Sequence, residues 1–137
     1  MFSNGVEMNE NQDKDKNEAS ESQVYLQKMQ EERGYILDFH KVLAEQDFEF
    51  LKGYNALLEA AYLKPRLLDA KTKELIFIAV LMAIRSQPDH LKTHMEMAKQ
   101  FGATQQEVLE VLEMTLPPTG VPTFMHAYPI WRQVFGV

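Results

Sequence analysis

The sequence predicts an all-α protein of six or seven helices, and three observations predict it. From Val24 onward, apolar residues recur at 3.6-residue spacing in one segment after another. Helix start and stop signals punctuate those segments at Asp47, Asp69, Pro88, Gly102 and the Thr104-Gln-Gln-Glu107 box. From Val24 onward, neither an Asn-Gly hairpin turn nor a period-2 run, the marks of paired strands, occurs.

Residues 1–23 read as a solvated acidic tail, rich in Asn, Gln, Ser and charge and without apolar periodicity. Residues 24–137 then read as a single helical domain. Tyr25, Met29, Ile36, His40 and Leu43 share a face, with Gly34 a weak point where the helix can break. Asp47 can cap a second segment bearing Phe48, Leu51, Leu58 and Tyr62, which Lys64-Pro65-Arg66 ends. Asp69 caps a helix running to about Arg85. Pro88 opens the next helix and Gly102 stops it. The Thr104–Glu107 capping box starts another, with Val108, Val111 and Leu112 on its apolar side. Pro117-Pro118-Thr119-Gly120 reads as a loop. Pro122 opens a last helix carrying Phe124, Tyr128, Trp131 and Phe135, with a kink expected at Pro129.

Composition removes whole classes of function. The 137 residues include no cysteine, which excludes disulfides, thiolate metal sites, iron–sulfur clusters and every Cys-nucleophile mechanism, and fits a cytoplasmic protein. The net charge of −6 is uneven: residues 1–23 hold six acids against two lysines, and the rest holds 14 acids and 12 bases. A nearly neutral body without a basic stripe argues against nucleic acid as a partner. The longest apolar run, Leu75 to Ile84, is about half of the ~20 residues a membrane span needs, and no signal peptide is evident.

Chemistry concentrates in two segments. Between Glu74 and Arg85 the helix is apolar all round, so it should be buried among others. On a continuous helix those two charges fall within about 20° in azimuth and address the same side. In the next helix, His90 and His94 lie on the apolar arc with Met97, Ala98 and Phe101, opposite Lys92, Glu96 and Lys99. Two imidazoles at i, i+4 on a core-facing side can pack, exchange protons near neutral pH, or hold a metal with Glu74 as third ligand. His40 reads as a core residue. His126 lies off the aromatic stripe of its helix, a position that suits exposure or a subunit contact. Ser86 lacks a nucleophile-elbow motif.

Residues 67–122, LLDAKTKELIFIAVLMAIRSQPDHLKTHMEMAKQFGATQQEVLEVLEM through PPTGVP, resemble the carboxymuconolactone decarboxylase family, whose superfamily includes the alkyl hydroperoxidase-D-like proteins. The resemblance rests on L-D-x-K-T-K-E-L-I, the H-x-x-x-H region, G-A-T-x-x-E-V-x-E-V and T-G-V-P, in that order. It implies a multihelical fold assembled as a trimer or hexamer, with sites near subunit boundaries. Carried onto this sequence, the peroxidase branch's relay glutamate falls on Glu74 and its histidine on His94. Its Cys-x-x-Cys stretch falls on Ser86-Gln87-Pro88-Asp89-His90, one residue longer and without sulfur, so disulfide-based peroxide reduction has no thiol to use. The decarboxylase branch usually shows E-L-x-x-H, where this chain has His90-Leu91-Lys92-Thr93-His94.

The resemblance implies a decarboxylation that needs neither metal nor organic cofactor, acting on a small carboxylated lactone or similar acid from aromatic catabolism. In that reading His94 is the general acid/base, Glu74 orients it or relays protons, His90 assists, and Arg85 binds a substrate carboxylate. The other reading is a non-catalytic oligomeric protein that binds a small acid, or one grouped with peroxiredoxin-like proteins but lacking the redox cysteines.

Overall fold

The computed structural model describes the backbone of residues 10–137 and the side chains of residues 21–137. Among the described residues it contains seven α-helices: α1 (Glu10–Arg33), α2 (Asp38–Gln46), α3 (Phe48–Leu58), α4 (Ala70–Ala83), α5 (Pro88–Gln100), α6 (Gln105–Thr119) and α7 (Val121–Phe135). A single π-turn, Glu59–Leu63, follows α3. The chain divides into two compact units, one ending at Ala61 and the other running from Tyr62 to Val137, where the sequence alone pointed to one domain over 24–137.

The local signals account for most helix ends. Gly34 takes φ 85° and α1 stops one residue before it. Asp47 Oδ1 accepts from the Phe50 amide at 3.0 Å, and Asp69 Oδ1 from the Thr72 amide at 2.7 Å. Thr104 and Glu107 form the reciprocal box, at 2.8 and 3.1 Å. At α2 the N3 side chain is His40, whose Nδ1 accepts from the Leu37 amide at 3.0 Å, the part glutamate plays in an ordinary box.

The structure bears on three further expectations. α1 begins at Glu10, within the segment read as a tail; residues 1–9 of that segment lie outside the described residues. Pro117 and Pro118 lie inside α6 rather than in a loop. Proline's fixed φ is itself helical, so the backbone can continue through both residues, at the cost of the two N–H donors that the Glu113 and Met114 carbonyls would otherwise receive. Thr115 and Thr119 hydroxyls bond the Val111 and Thr115 carbonyls at 2.7 and 2.6 Å, and Gly120, at φ 89°, makes the break before α7. α7 runs unbroken through Pro129.

In the first unit, Met29, Ala44 and Leu51 form the buried centre, with Tyr25, Ile36, Leu43 and Phe48 packed around it. In the second, α4 to α7 close over Ile78, Met82, Leu91, Met95, Val108 and Leu112, all fully buried. Lys71 Nζ reaches Glu107 Oε1 at 2.9 Å, joining α4 to α6. Trp131 Nε1 donates to the Gln105 carbonyl at 2.9 Å, joining α7 to the start of α6. This bundle sets α4 against α5, which is what brings the candidate site together.

Candidate active site around Glu74 and His94

α4 presents Glu74 and Phe77 toward α5, and α5 presents His94 and His90 in return. His94 Nδ1 lies 2.7 Å from Glu74 Oε2, and the two residues are 1% and 0% exposed. A carboxylate at that distance takes Nδ1–H, which places the neutral ring's lone pair on Nε2. Burial pushes the Glu74 carboxyl above its ordinary range, and the hydrogen bond and charge of His94 oppose that shift. Glu74 Oε1 is buried without a hydrogen-bond partner among the described residues. The result is a pair that can share one proton in a dry setting.

Aromatic rings hold the imidazole. Phe77 stacks on His94 with centroids 4.6 Å apart and 3° between planes. Tyr62, carried on the π-turn, meets Phe77 edge-on at 4.8 Å and stands 6.1 Å from His94. Lys73 fixes that turn by donating to the Tyr62 and Lys64 carbonyls, each at 2.9 Å. π-turns are often found at functional sites, and this one delivers an aromatic to the histidine.

His90 is half-buried, with its ring centroid 5.2 Å from that of His94. Its pKa is lowered, first by burial and then by the neighbouring His94, so its neutral form is favoured. His90 Nδ1 meets Ser86 Oγ at 3.2 Å, and the Ser86 carbonyl accepts from His126 Nε2 at 2.8 Å. Sequence reasoning singled out Glu74, His90 and His94, which the fold brings together. It missed Phe77 and Tyr62, and it named Ser86 and His126 without placing them beside His90, because nothing in the sequence ties α7 or the π-turn to α5.

Arg85 stands apart from this group. α4 ends at Ala83, and the helical wheel does not extend to Arg85, which is exposed and takes φ 51°. The Ser86 amide bonds the Leu81 carbonyl at 2.9 Å and the Arg85 amide the Met82 carbonyl at 3.0 Å, so Arg85 occupies the left-handed position of a Schellman turn. Phe101, expected on the buried arc of α5, is 44% exposed at that helix's C-cap. His40 is fully buried, as a core residue should be. His126 is half-buried on α7.

Among the described residues, no group of three or more His, Asp or Glu side chains is placed to hold a metal ion, so Glu74, His90 and His94 do not assemble as a ligand set. α4 is also not buried all round. Ile76 and Val80 are about half exposed, opening onto an apolar groove of about 770 Å³ between α4 and α6 that Val111 and Met114 help to line. No helix among the described residues is long and apolar enough to cross a membrane.

The comparisons with known proteins bear on this geometry. No curated protein matches the chain. Residues 49–133, which include Glu74, Phe77, Ser86, His90, His94 and His126, match the carboxymuconolactone decarboxylase family, and the chain belongs to that family.

Proposed function

We propose that the protein carries out cofactor-independent proton-transfer chemistry: decarboxylation, or a related lactone reaction, of a small carboxylated lactone or similar acid from aromatic catabolism. The observation that supports this most is the buried 2.7 Å contact of Glu74 with His94. When CO2 leaves, the electrons of the broken C–C bond pass into the unsaturated lactone, and an acid must return a proton to carbon. His94 supplies that proton through Nε2, while Glu74 holds Nδ1 and stabilises the imidazolium. His90, whose pKa burial lowers, assists as a second proton carrier. Water exclusion by Phe77 and Tyr62 strengthens each of these interactions.

Arg85 in this reading anchors a substrate carboxylate. Its exposure in a single chain calls for a neighbouring subunit to enclose it, and the bare apolar face of Ile76, Val80 and Met114 supports a homotrimer or homohexamer. Assays of CO2 release from carboxylated lactones test the activity. His94→Ala should lower turnover by ~10²–10⁴-fold with the helical signal intact. Equal turnover in the variant overturns the assignment. Light scattering tests the assembly, which Val80→Glu should dissociate.

A second reading is favoured by the 1% exposure of His94: the pair is structural, and the protein binds a small acid without turning it over. Thermal stabilisation by such acids with no product formed distinguishes it.

A further inference from the structure

We propose that Ser86 and His126 are positioning residues for His90: α7 holds the α4–α5 turn by its Ser86 carbonyl, and the Ser86 hydroxyl in turn sets the proton arrangement of the His90 ring. The purpose of this device rests on the proton-transfer reading above, but its existence does not.

The geometry is a chain of contacts. His126 Nε2 lies 2.8 Å from the Ser86 carbonyl oxygen, Ser86 Oγ lies 3.2 Å from His90 Nδ1, and the rings of His90 and His94 are 5.2 Å apart, with Glu74 beyond at 2.7 Å. The contacts run from α7, through the turn after α4, to the most buried carboxylate of the site. Each of the three imidazoles meets a different kind of partner. A carbonyl oxygen only accepts, so His126 must carry its proton on Nε2. A carboxylate draws the His94 proton to Nδ1.

His90 differs, because a hydroxyl can play both parts. Ser86 donates to Nδ1 when His90 is neutral with its proton on Nε2, and accepts from Nδ1–H when the ring is an imidazolium. The contact therefore survives protonation by reversing direction: Nδ1 is the nitrogen that takes up and releases the proton, and Nε2 keeps its own throughout. The groups bearing on His90 are His94 one turn along α5, with Glu74 of α4 behind it, and His126 of α7 through Ser86.

Holding that hydroxyl in place takes more than the turn itself. Arg85, immediately before Ser86, sits at φ 51°, a left-handed conformation that a non-glycine residue keeps only when its surroundings fix it. The Schellman bonds supply part of that restraint and His126 supplies the rest, from a helix 40 residues further on.

The test is long-range ¹H–¹⁵N correlation NMR of the full-length protein, following the imidazoles of His90, His94 and His126 across a pH titration, with no substrate required. In the wild type, His126 should show the Nε2–H form throughout the neutral range. Ser86→Ala should shift the His90 tautomer balance and lower its titration midpoint by about half a unit to one unit, because the bond Ser86 accepts from the charged ring is stronger than the one it donates to the neutral ring. Ser86→Thr, which keeps the hydroxyl, should restore it. His126→Phe should move His90 in the same way, and His126→Gln, whose amide N–H can still reach the carbonyl, should restore it; His126→Asn, too short to reach, stands in where the Phe variant does not fold. A His90 titration identical in wild type and Ser86→Ala overturns the proposal, and so does one that moves in Ser86→Ala but is untouched by His126→Phe. Failure to find turnover would sink the proton-transfer reading and leave these spectra unaffected.

Discussion

The ring of Phe77 lies parallel to the imidazole of His94, 4.6 Å between centroids, while Tyr62 closes on Phe77 edge-on. Stacking on one face and a carboxylate on Nδ1 leave His94 a single orientation. Phe77→Ala should cost about 2–3 kcal/mol, below the ~3–5 of a fully buried phenylalanine because Phe77 is only half-buried. Phe77→Leu should cost about 1 kcal/mol while broadening the His94 imidazole resonances. Urea unfolding and the same NMR experiment check both values; a sharp, unshifted His94 signal in Phe77→Leu would show that Glu74 alone orients the ring.

Glu74 gives a pH dependence whose sign follows from burial. Its carboxyl is raised above 4.5 by desolvation, so the folded state binds its proton more readily than the unfolded state does. The stability this contributes is fully present below 4.5 and is lost as pH rises through the raised folded value. Glu74→Gln keeps an acceptor for His94 and does not ionise. The melting temperature of the wild type relative to Glu74→Gln should therefore be most favourable in acid and decline as pH rises. A difference that grows with pH would mean that His94, not burial, dominates the pair.

Capping chemistry was the most legible part of this sequence, and Thr104 shows why. Its box is local: both bonds join residues three apart, so the sequence contains the whole interaction. Thr104→Ala should cost about 1 kcal/mol. Glu107 is lowered below 4.5 by the Thr104 amide first and Lys71 second, so its contribution is present above 4.5 and lost as pH falls through the lowered value. The acid limb of the stability curve should be shallower in Glu107→Gln, whereas Thr104→Ala keeps the amide that binds the Glu107 carboxylate and should leave most of that limb in place. By contrast, Pro117-Pro118 misled because proline's two effects, a helical φ and a missing N–H, oppose each other, and residue type alone does not decide between them. The link from His126 to Ser86 spans 40 residues and involves a backbone carbonyl, which no residue type advertises. Glu74, His90 and His94 were legible because their spacing on two helices is itself the signal; the exposed seat of Arg85 was not, since the wheel assumes a helix that had already ended.

The first unit holds a buried cation with an unusual set of partners, and it supplies the last prediction. Arg33 is 3% exposed; its Nη2 donates to Asn55 Oδ1, and its Nε has no partner among the described residues. Its Nη1 faces His40 Nε2 at 3.2 Å, yet His40 Nδ1 already accepts from the Leu37 amide. One neutral imidazole has a single lone pair, so it cannot accept from both, and the Asn55 carbonyl becomes the principal acceptor for the guanidinium. Asn55 is held in turn, donating to Tyr25 Oη and Glu59 Oε1 at 3.0 Å each. Asn55→Ala therefore removes the acceptor and leaves the charge, which should cost about 2–3 kcal/mol. Arg33→Met removes the charge itself and fills similar volume, so it should cost less than Asn55→Ala, and adding Asn55→Ala to it should cost less than that change does alone. Chemical denaturation of the three variants checks the order. Additive losses would show that Arg33 and Asn55 act independently, despite the hydrogen bond that joins them.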